Sequence, residues 1–499
     1  MSTKNGHADV LIKDAKFMLT MDDQRRLLES QSLAITGDRI SAIGETAELE
    51  KLAGPETRVI DGDEFFVTPG LVNSHIHLES CYDKGLLDDV PVVPWCERYF
   101  SYTYGTLTDE SYYYAALASL LASLKTGTTT VSDCGTIQTM EESCVRAVDD
   151  IGMRAVLARD LMDIHGATKS DYVSYDAFTD LLDRLQENTK ECLDRSKKFI
   201  DDYHDTADGR IRAGLDLQQV CNCSPELCEG VMKLVEEYDV SVQTHAGVSH
   251  DMVEMTRKRF GLRDIEYLDQ QGVLGRNFLA VHMGWTNARE LIRLAETDSN
   301  VAHVPGSSLH GLYSALSSRS HIPEYVNAGI NVGLGNDESS TGTCHDMMRE
   351  VYLVSTVHAE ARHTMLFPNR DLFQIQTAEK SPVAVEMATV NGAKALMWED
   401  EIGSLEEGKK ADIALWDLTS YEWIPTNRVN LLNNFVLNAT GRSCHTVICD
   451  GKVIMEDQKI LGVDEDEIRT KAQEYYEKYQ PQAEWVDKPE VWELKWVRE

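Results

Sequence analysis

The sequence predicts an α/β fold: a (β/α)8 TIM barrel with a flanking β-sandwich built from N- and C-terminal segments. Three observations predict it. Between residues 68 and 334, apolar β-type runs alternate with helical stretches eight times. Residues 8–66 and the segment after residue 402 instead hold short strands separated by turns. Histidine or aspartate follows the apolar run at the first, fifth, sixth and eighth β positions. Strands and helices in strict series favour a parallel barrel over a doubly wound sheet, and side chains at barrel strand C-termini meet at one mouth.

In chain order, Asp9–Ile12 and Lys16–Met21 read as one strand pair. Ser32–Thr36 and Arg39–Ile43, parted by Gly37-Asp38, carry a hairpin signal, and Thr57–Ile60 and Glu64–Val67 complete the β unit. From residue 68 the eight strands centre near 71, 130, 156, 214, 242, 280, 302 and 332. Helical runs lie between them at Asp109–Lys125, Thr139–Ile151, Tyr175–Phe199, the segment opened by Ser224-Pro225, Asp251–Phe260 and Asn287–Glu296. Gly403–Ala414 and Val447–Met455 return to strands that join the N-terminal ones. The expected domains are 1–67 with 402–464 as a composite β-sandwich, 68–401 as the catalytic barrel, and 465–499 as a terminal helix and tail.

At 499 residues and 42% hydrophobic content the chain can bury a large core. The net charge of −35 disfavours nucleic acid and anionic membranes, since both require a basic surface. No apolar run reaches the roughly 20 residues of a membrane span, and MSTKNGHADV lacks the apolar region of a secretory signal. Eleven irregularly spaced cysteines without a CxxC pair fit reduced thiols. The expectation is a cytoplasmic homo-oligomer acting on a small molecule.

VTPGLVNSHIHLES, Val67–Ser80, is the centre of the functional reading. In an extended chain residues two apart share a side, so His75 and His77 aim two imidazoles at one point. Neutral imidazole is the commonest protein ligand for Zn²⁺ and also suits Fe. His245 in VSVQTHAG, His282 in FLAVHMGW and Asp337 in INVGLGNDESS follow β runs in the same way. Each one alone reads equally well as a core histidine or a helix cap; five at one barrel mouth read as a metal centre.

With these residues in place, the chain resembles the amidohydrolase superfamily, and within it the group of s-triazine hydrolases and S-adenosylhomocysteine, cytosine and guanine deaminases. The resemblance spans roughly residues 8–460. It rests on PG-x4-HIH at 69–77, His245, His282, VAHVPGSS at 301–308, GLGND at 333–337 and GSLEEGKKADIALWD at 403–417, with Lys84-Gly85 and Trp95 at usual positions. It implies that His75, His77, His245 and Asp337 bind one divalent ion, Zn²⁺ or Fe²⁺, that Asp337 takes a proton from water, and that His282 contacts the water or the group attacked. No lysine is placed to act as a carbamylated bridge, which favours one metal over two.

One departure stands out. Deaminases of the group carry HxxE after the fifth strand; here the sequence is His245-Ala246-Gly247-Val248. Glu79, two residues past His77, and Glu338, beside Asp337, are the nearby replacements for that carboxyl, with His250 and Glu254 more distant. Asp133, Cys134, Arg159, Asp160, Gln218, Gln219 and Trp285 also fall at strand ends or just after them. Trp95, Gln218, His303, His310 and Glu338 are the expected substrate contacts. The function expected is metal-dependent hydrolysis of a C–N bond of an N-heterocyclic or related small molecule, by deamination or amine release. Two alternatives stay open: cleavage of a linear amide, carbamate or C–halogen bond at the same site, and a non-catalytic scaffold.

Overall fold

The computed structural model describes residues 6–85, 92, 95–96, 99, 106–137, 139–164, 187–311, 321–341, 344–365 and 380–479. Five strands open the chain: β1 (Val10–Leu19), β2 (Leu27–Thr36), β3 (Arg39–Gly44), β4 (Arg58–Asp61) and β5 (Phe65–Pro69). Asp9–Ile12 and Lys16–Met21, expected to pair, instead form a single strand, β1, with its register against β2 broken between Ile12 and Ala15. The cause is local. Asp14 sits at φ 51° and its N–H goes to Ser32 Oγ at 3.0 Å, so the ladder skips it. The β2–β3 hairpin forms as its Gly37 turn signal predicts.

Eight parallel strands follow: β6 (Leu71–Ile76), β7 (Thr128–Thr136), β8 (Arg154–Leu161), β9 (Ile211–Gln219), β10 (Ser241–Ala246), β11 (Phe278–His282), β12 (Asn300–His303) and β13 (Asn331–Leu334). Each pairs with the next in parallel. A bridge between Ile76 and Asp337 joins the two ends of the series. At this seam the N–H groups of Asn336 and Asp337 both donate to the His75 carbonyl at 3.0 Å. A Cβ on Gly335 would lie 2.7 Å from that carbonyl oxygen, so only glycine lets the last strand approach the first this closely.

The connecting helices start where their caps predict. Ser224 caps Pro225–Tyr238 and Asn287 caps Ala288–Glu296 with a capping box through Glu290. The charged run expected over Tyr175–Phe199 becomes a helix at Thr189–Tyr203, opened by Asn188 and Glu191; residues 165–186 lie outside the described residues. Glu465–Tyr479 forms the terminal helix.

β14 (Ile413–Asp417), β15 (Cys444–Cys449), β16 (Lys452–Glu456) and β17 (Lys459–Ile460) join the N-terminal strands in one mixed nine-stranded sheet, through β14 against β5. One face of it gathers Ile12, Met18, Leu33, Ile35, Val67, Ile413, Leu415 and Ile448 into a core of its own. Phe17, Phe66, Trp416 and Val447 point the other way into the barrel's core. A buried ion cluster ties the two bodies together. Arg154 at the start of β8 donates to both oxygens of Asp412, at 2.9 and 3.1 Å, and to Asp450 at 3.0 Å. All eleven cysteines are free, and among the described residues no helix is long and apolar enough to cross a membrane.

Candidate active site and metal centre

His75 sits within β6, and His77 directly after it keeps extended backbone (φ −113°, ψ 105°) as the cap of a 3-10 turn, Leu78–Asp83. The strand alternation therefore carries through, and the two rings meet edge to face at 5.1 Å. His245 on β10 stacks on His77 at 5.4 Å, and His282 at the end of β11 stacks on His245 at 5.4 Å. Asp337 brings its carboxylate between them: Oδ1 lies 3.1 Å from His75 Nε2 and 3.5 Å from His77 Nε2, while Oδ2 is 3.9 Å from His282 Nδ1. His282 and Asp337 both hold left-handed backbone, φ 75° and 67°, a cost non-glycine residues bear where the surrounding structure requires it.

The donor set fits a metal ion. In three overlapping sets, His75/His77/Cys134/His245, His75/His282/Asp337 and His77/Asp337/Glu338, the potential ligand atoms lie within 4.8 Å of one another. His245 Nδ1 donates to the Gln218 carbonyl at 2.8 Å. That bond fixes the tautomer and leaves Nε2 with its lone pair facing His77 Nε2, 3.4 Å away. His77 Nδ1 meets Glu79 Oε1 at 3.3 Å, the carboxylate–imidazole pairing that orients a metal-ligating histidine.

The electrostatics agree. Burial holds His245 well below the ordinary imidazole range and His282 at about 3, so both are neutral. Burial alone would depress His77 too, but Glu79, Asp337 and Glu338 lift it to about 10. That negative field is what a dication would neutralise. Burial would raise Asp337, yet contact with Glu338 and the adjacent imidazoles hold it well below the usual carboxylate range. Glu338 carries the opposite shift, raised by burial and by Asp337.

A pocket opens over this cluster, lined among others by His77, Trp95, Tyr99, Gln218, Gln219, Val248, His282, Asp337 and Glu338. Of the expected substrate contacts, Trp95, Gln218 and Glu338 are therefore on its wall, and the Gln218 Oε1 is buried with no hydrogen-bond partner. His303 lies elsewhere: it is buried and meets His358 through their Nε2 atoms at 2.9 Å. His310 is exposed at the end of the helix Pro305–His310 and is not on the pocket wall. Val248 lines the pocket, whereas His250 is exposed at a helix start and Glu254 pairs with Arg257. Trp285 stands edge-on to His250. Arg159 is committed to Glu141 and Glu187. Asp133 takes the Leu78 N–H at 2.9 Å, and Cys134 lies 3.3 Å from Asp216. Asp160, like them, is buried within the barrel strands.

Two groups escaped the sequence reading. Tyr99, four residues beyond Trp95, stacks on it at 4.8 Å and donates its hydroxyl to Glu79; the i, i+4 spacing of two aromatics was the available signal. Ser307 and Thr341 are hydroxyl neighbours of Asp337 and Glu338; Ser307 lies in VAHVPGSS, but that motif does not assign its hydroxyl a partner, and nothing local marks Thr341.

A closed parallel barrel with histidines and an aspartate converging at its mouth, under a pocket, defines a barrel hydrolase that works through a divalent metal. Comparison with known proteins gives the family: the amidohydrolase family model matches residues 66–454, and the chain belongs to the amidohydrolase family. It is 28% identical over 460 residues to a 5-methylthioadenosine/S-adenosylhomocysteine deaminase of Thermoanaerobacter pseudethanolicus, covering 92% of this chain and 96% of that one. It is 29% identical over 468 residues to a 5'-deoxyadenosine deaminase of Methanobrevibacter smithii, covering 94% and 97%. Among solved structures, the zinc complex of an atrazine chlorohydrolase from Arthrobacter aurescens TC1 superposes with a TM-score of 0.80 at 25% identity, covering 94% of this chain and 100% of that one. The chain is thus a hydrolase of the amidohydrolase family, and the relatives named are deaminases, enzymes that cleave C–N bonds other than peptide bonds.

Proposed function

We propose that the enzyme removes an exocyclic amine, as ammonia or a small amine, from an aminated N-heterocycle, with 5'-substituted adenosines as the first class to try. The observation that carries this reading is the convergence of His75, His77, His245, His282 and Asp337 beneath a wall of Trp95, Gln218 and Glu338. An indole face and a buried, unpartnered amide oxygen suit a flat ring bearing N–H donors. The names of the relatives support the adenosine-type substrate.

His75, His77, His245 and Asp337 would hold one ion, and zinc is our choice over iron because imidazole and carboxylate donors suit it and the chlorohydrolase structure contains it. Bound there, a divalent ion supplies Lewis acidity, bringing the pKa of a water toward 7. Asp337, kept ionised, accepts a proton from the attacking water. His282, kept neutral by burial, can hydrogen-bond the attacking water or the group attacked. Val248 can move no proton, and Glu79 does not line the pocket. Glu338 does, and its raised pKa lets it donate to the departing nitrogen. Glu338 touches Asp337, so the proton gained by one restores the other.

A second reading is displacement of halide from a halogenated ring, favoured by the aliphatic Val248 at the position where a proton-donating glutamate is absent. Ammonia release by the zinc-loaded enzyme across adenosines, other purines, pterins, pyrimidines and triazines tests the proposal. Saturable ammonia release from one class is the expected result. Halide release without ammonia selects the second reading, and metal-free protein with full activity overturns both.

A further inference from the structure

Glu79 stands between two groups that belong to different parts of the site. Its Oε1 lies 3.3 Å from His77 Nδ1 and also accepts the Tyr99 hydroxyl, while Oε2 is buried with no hydrogen-bond partner. Glu79 is 3% exposed and Tyr99 2%. Tyr99 itself is on the pocket wall, its ring stacked 4.8 Å from Trp95 at an interplanar angle of 15°, and stands edge-on to His77 at 6.0 Å. A carboxylate at the tip of a side chain with several rotatable bonds has no fixed position unless something holds it. Here one oxygen must accept from imidazole and phenol together, and the second oxygen has nothing to compete for it.

We propose that Tyr99 is a positioning residue for the metal centre, holding Glu79 against His77 Nδ1 so that His77 Nε2 faces the ion, and that through its stack on Trp95 it links ligand seating in the pocket to the geometry of His77. The inference rests on the metal-site reading above, and it goes beyond it by making the pocket wall part of the ligand shell's support. A carboxylate behind a metal-bound histidine fixes its tautomer and raises its basicity, and losing such a partner costs 10–100-fold in metal affinity or activity. Tyr99 acts on this through Glu79, so its effect should vanish once Glu79 can no longer play that part.

The test is a double-mutant cycle read by zinc affinity, using competition against a chromophoric chelator on the full chain, with kcat and KM in parallel. Tyr99→Phe keeps the ring and the stack and removes only the hydroxyl. Its zinc affinity should fall about tenfold while the thermal midpoint of the apoprotein holds. Glu79→Gln should cost as much or more, and the double variant no more than Glu79→Gln alone, because residues acting through one contact are not additive. Trp95→Phe should raise KM and leave the zinc affinity of the ligand-free enzyme as it was. Unchanged zinc affinity in Tyr99→Phe, or losses that simply add in the double variant, would overturn the proposal. A wild-type chain that takes up no zinc would overturn the metal site and this role with it, whereas zinc binding without ammonia release would leave this role standing and overturn only the choice of reaction.

Discussion

Ser307 donates its hydroxyl to Asp337 Oδ2 at 2.6 Å, and that Ser307 hydroxyl lies 2.8 Å from Thr341 Oγ1, which in turn donates to Glu338 Oε1 at 2.5 Å. Two hydroxyls thus bridge the two adjacent carboxyls. A hydroxyl donated to a carboxylate favours its ionised form, so removing it raises the pKa of Asp337. Ser307→Ala should lower kcat by about tenfold or more and move the acid limb of the kcat/KM profile to higher pH. Ser307→Thr, which keeps the hydroxyl, should retain both. A profile in Ser307→Ala that superposes on the wild type would show that the bond does not tune Asp337.

Asp337→Asn preserves size and one ligating oxygen but cannot take a proton. Metal content should be partly retained while kcat falls by the roughly 10²–10⁴ typical of losing a general base. Metal analysis and steady-state kinetics on one preparation check both, and near-normal turnover would place the base elsewhere.

Val248→Glu puts a third carboxyl beside Asp337 and Glu338 in a buried pocket. Burial and like charge both push its pKa up, and no lysine or arginine among the described residues lines the pocket to offset them. On the best wild-type substrate kcat/KM should not rise. A gain at pH 7 would mean that protonation of the leaving group limits the wild type.

His345 reports on acid stability. It is fully buried, with Nε2 2.6 Å from Ser339 Oγ and no partner on Nδ1. Burial, aided by Lys84 and His77 against the opposing Asp337, holds its pKa at about 3. The unfolded chain, with imidazole near 6.5, then binds more protons than the native state between those values. Stability from this residue is complete above about pH 6.5 and falls as pH drops toward 3. By pH 5 the loss is roughly 2 kcal/mol. Urea unfolding at pH 7 and pH 5 should show a smaller difference in His345→Gln than in the wild type; an equal difference would assign the pH dependence to other groups.

Arg154→Ala leaves Asp412 buried without its cation, while Asp450 keeps Lys410 at 3.0 Å; both carboxyls are 4% exposed. Breaking a buried pair in this way costs about 3–5 kcal/mol, seen as a lower thermal midpoint, with kcat of the remaining native enzyme near normal because the pair lies away from the mouth. A midpoint unchanged within about a degree would show that the cluster contributes nothing to joining sheet and barrel.

The eight barrel strands were legible because each is a short apolar run bounded by turn residues, and period and flanks agree. The five convergent side chains followed from that, since the fold itself places strand C-termini together. What stayed hidden depends on contacts across long separations. Nothing near Asp14 announces a bulge, because its cause is the Ser32 hydroxyl on the neighbouring strand. His303 ends β12 and His310 follows it, and only the packed structure turns one to His358 and leaves the other exposed. Glu79 looked like a mouth carboxylate by parity with His77; the 3-10 turn over Leu78–Asp83 directs it behind that ring instead.

The pairing of β5 with β14 sets a clock on biosynthesis. Pro69 and Ile413 are partners in that ladder although about 340 residues separate them. At the 5–20 residues per second of translation, the first five strands leave the ribosome roughly 17–70 s before their partner exists. Through that interval the β5 edge, with Phe66 and Val67 on it, has an open row of backbone groups, the kind of edge that recruits the wrong strand. A chain truncated before Ile413 would keep that edge permanently, and its aggregation in a translation reaction, set against the full-length product, measures how far the last strands act as a cover for the first.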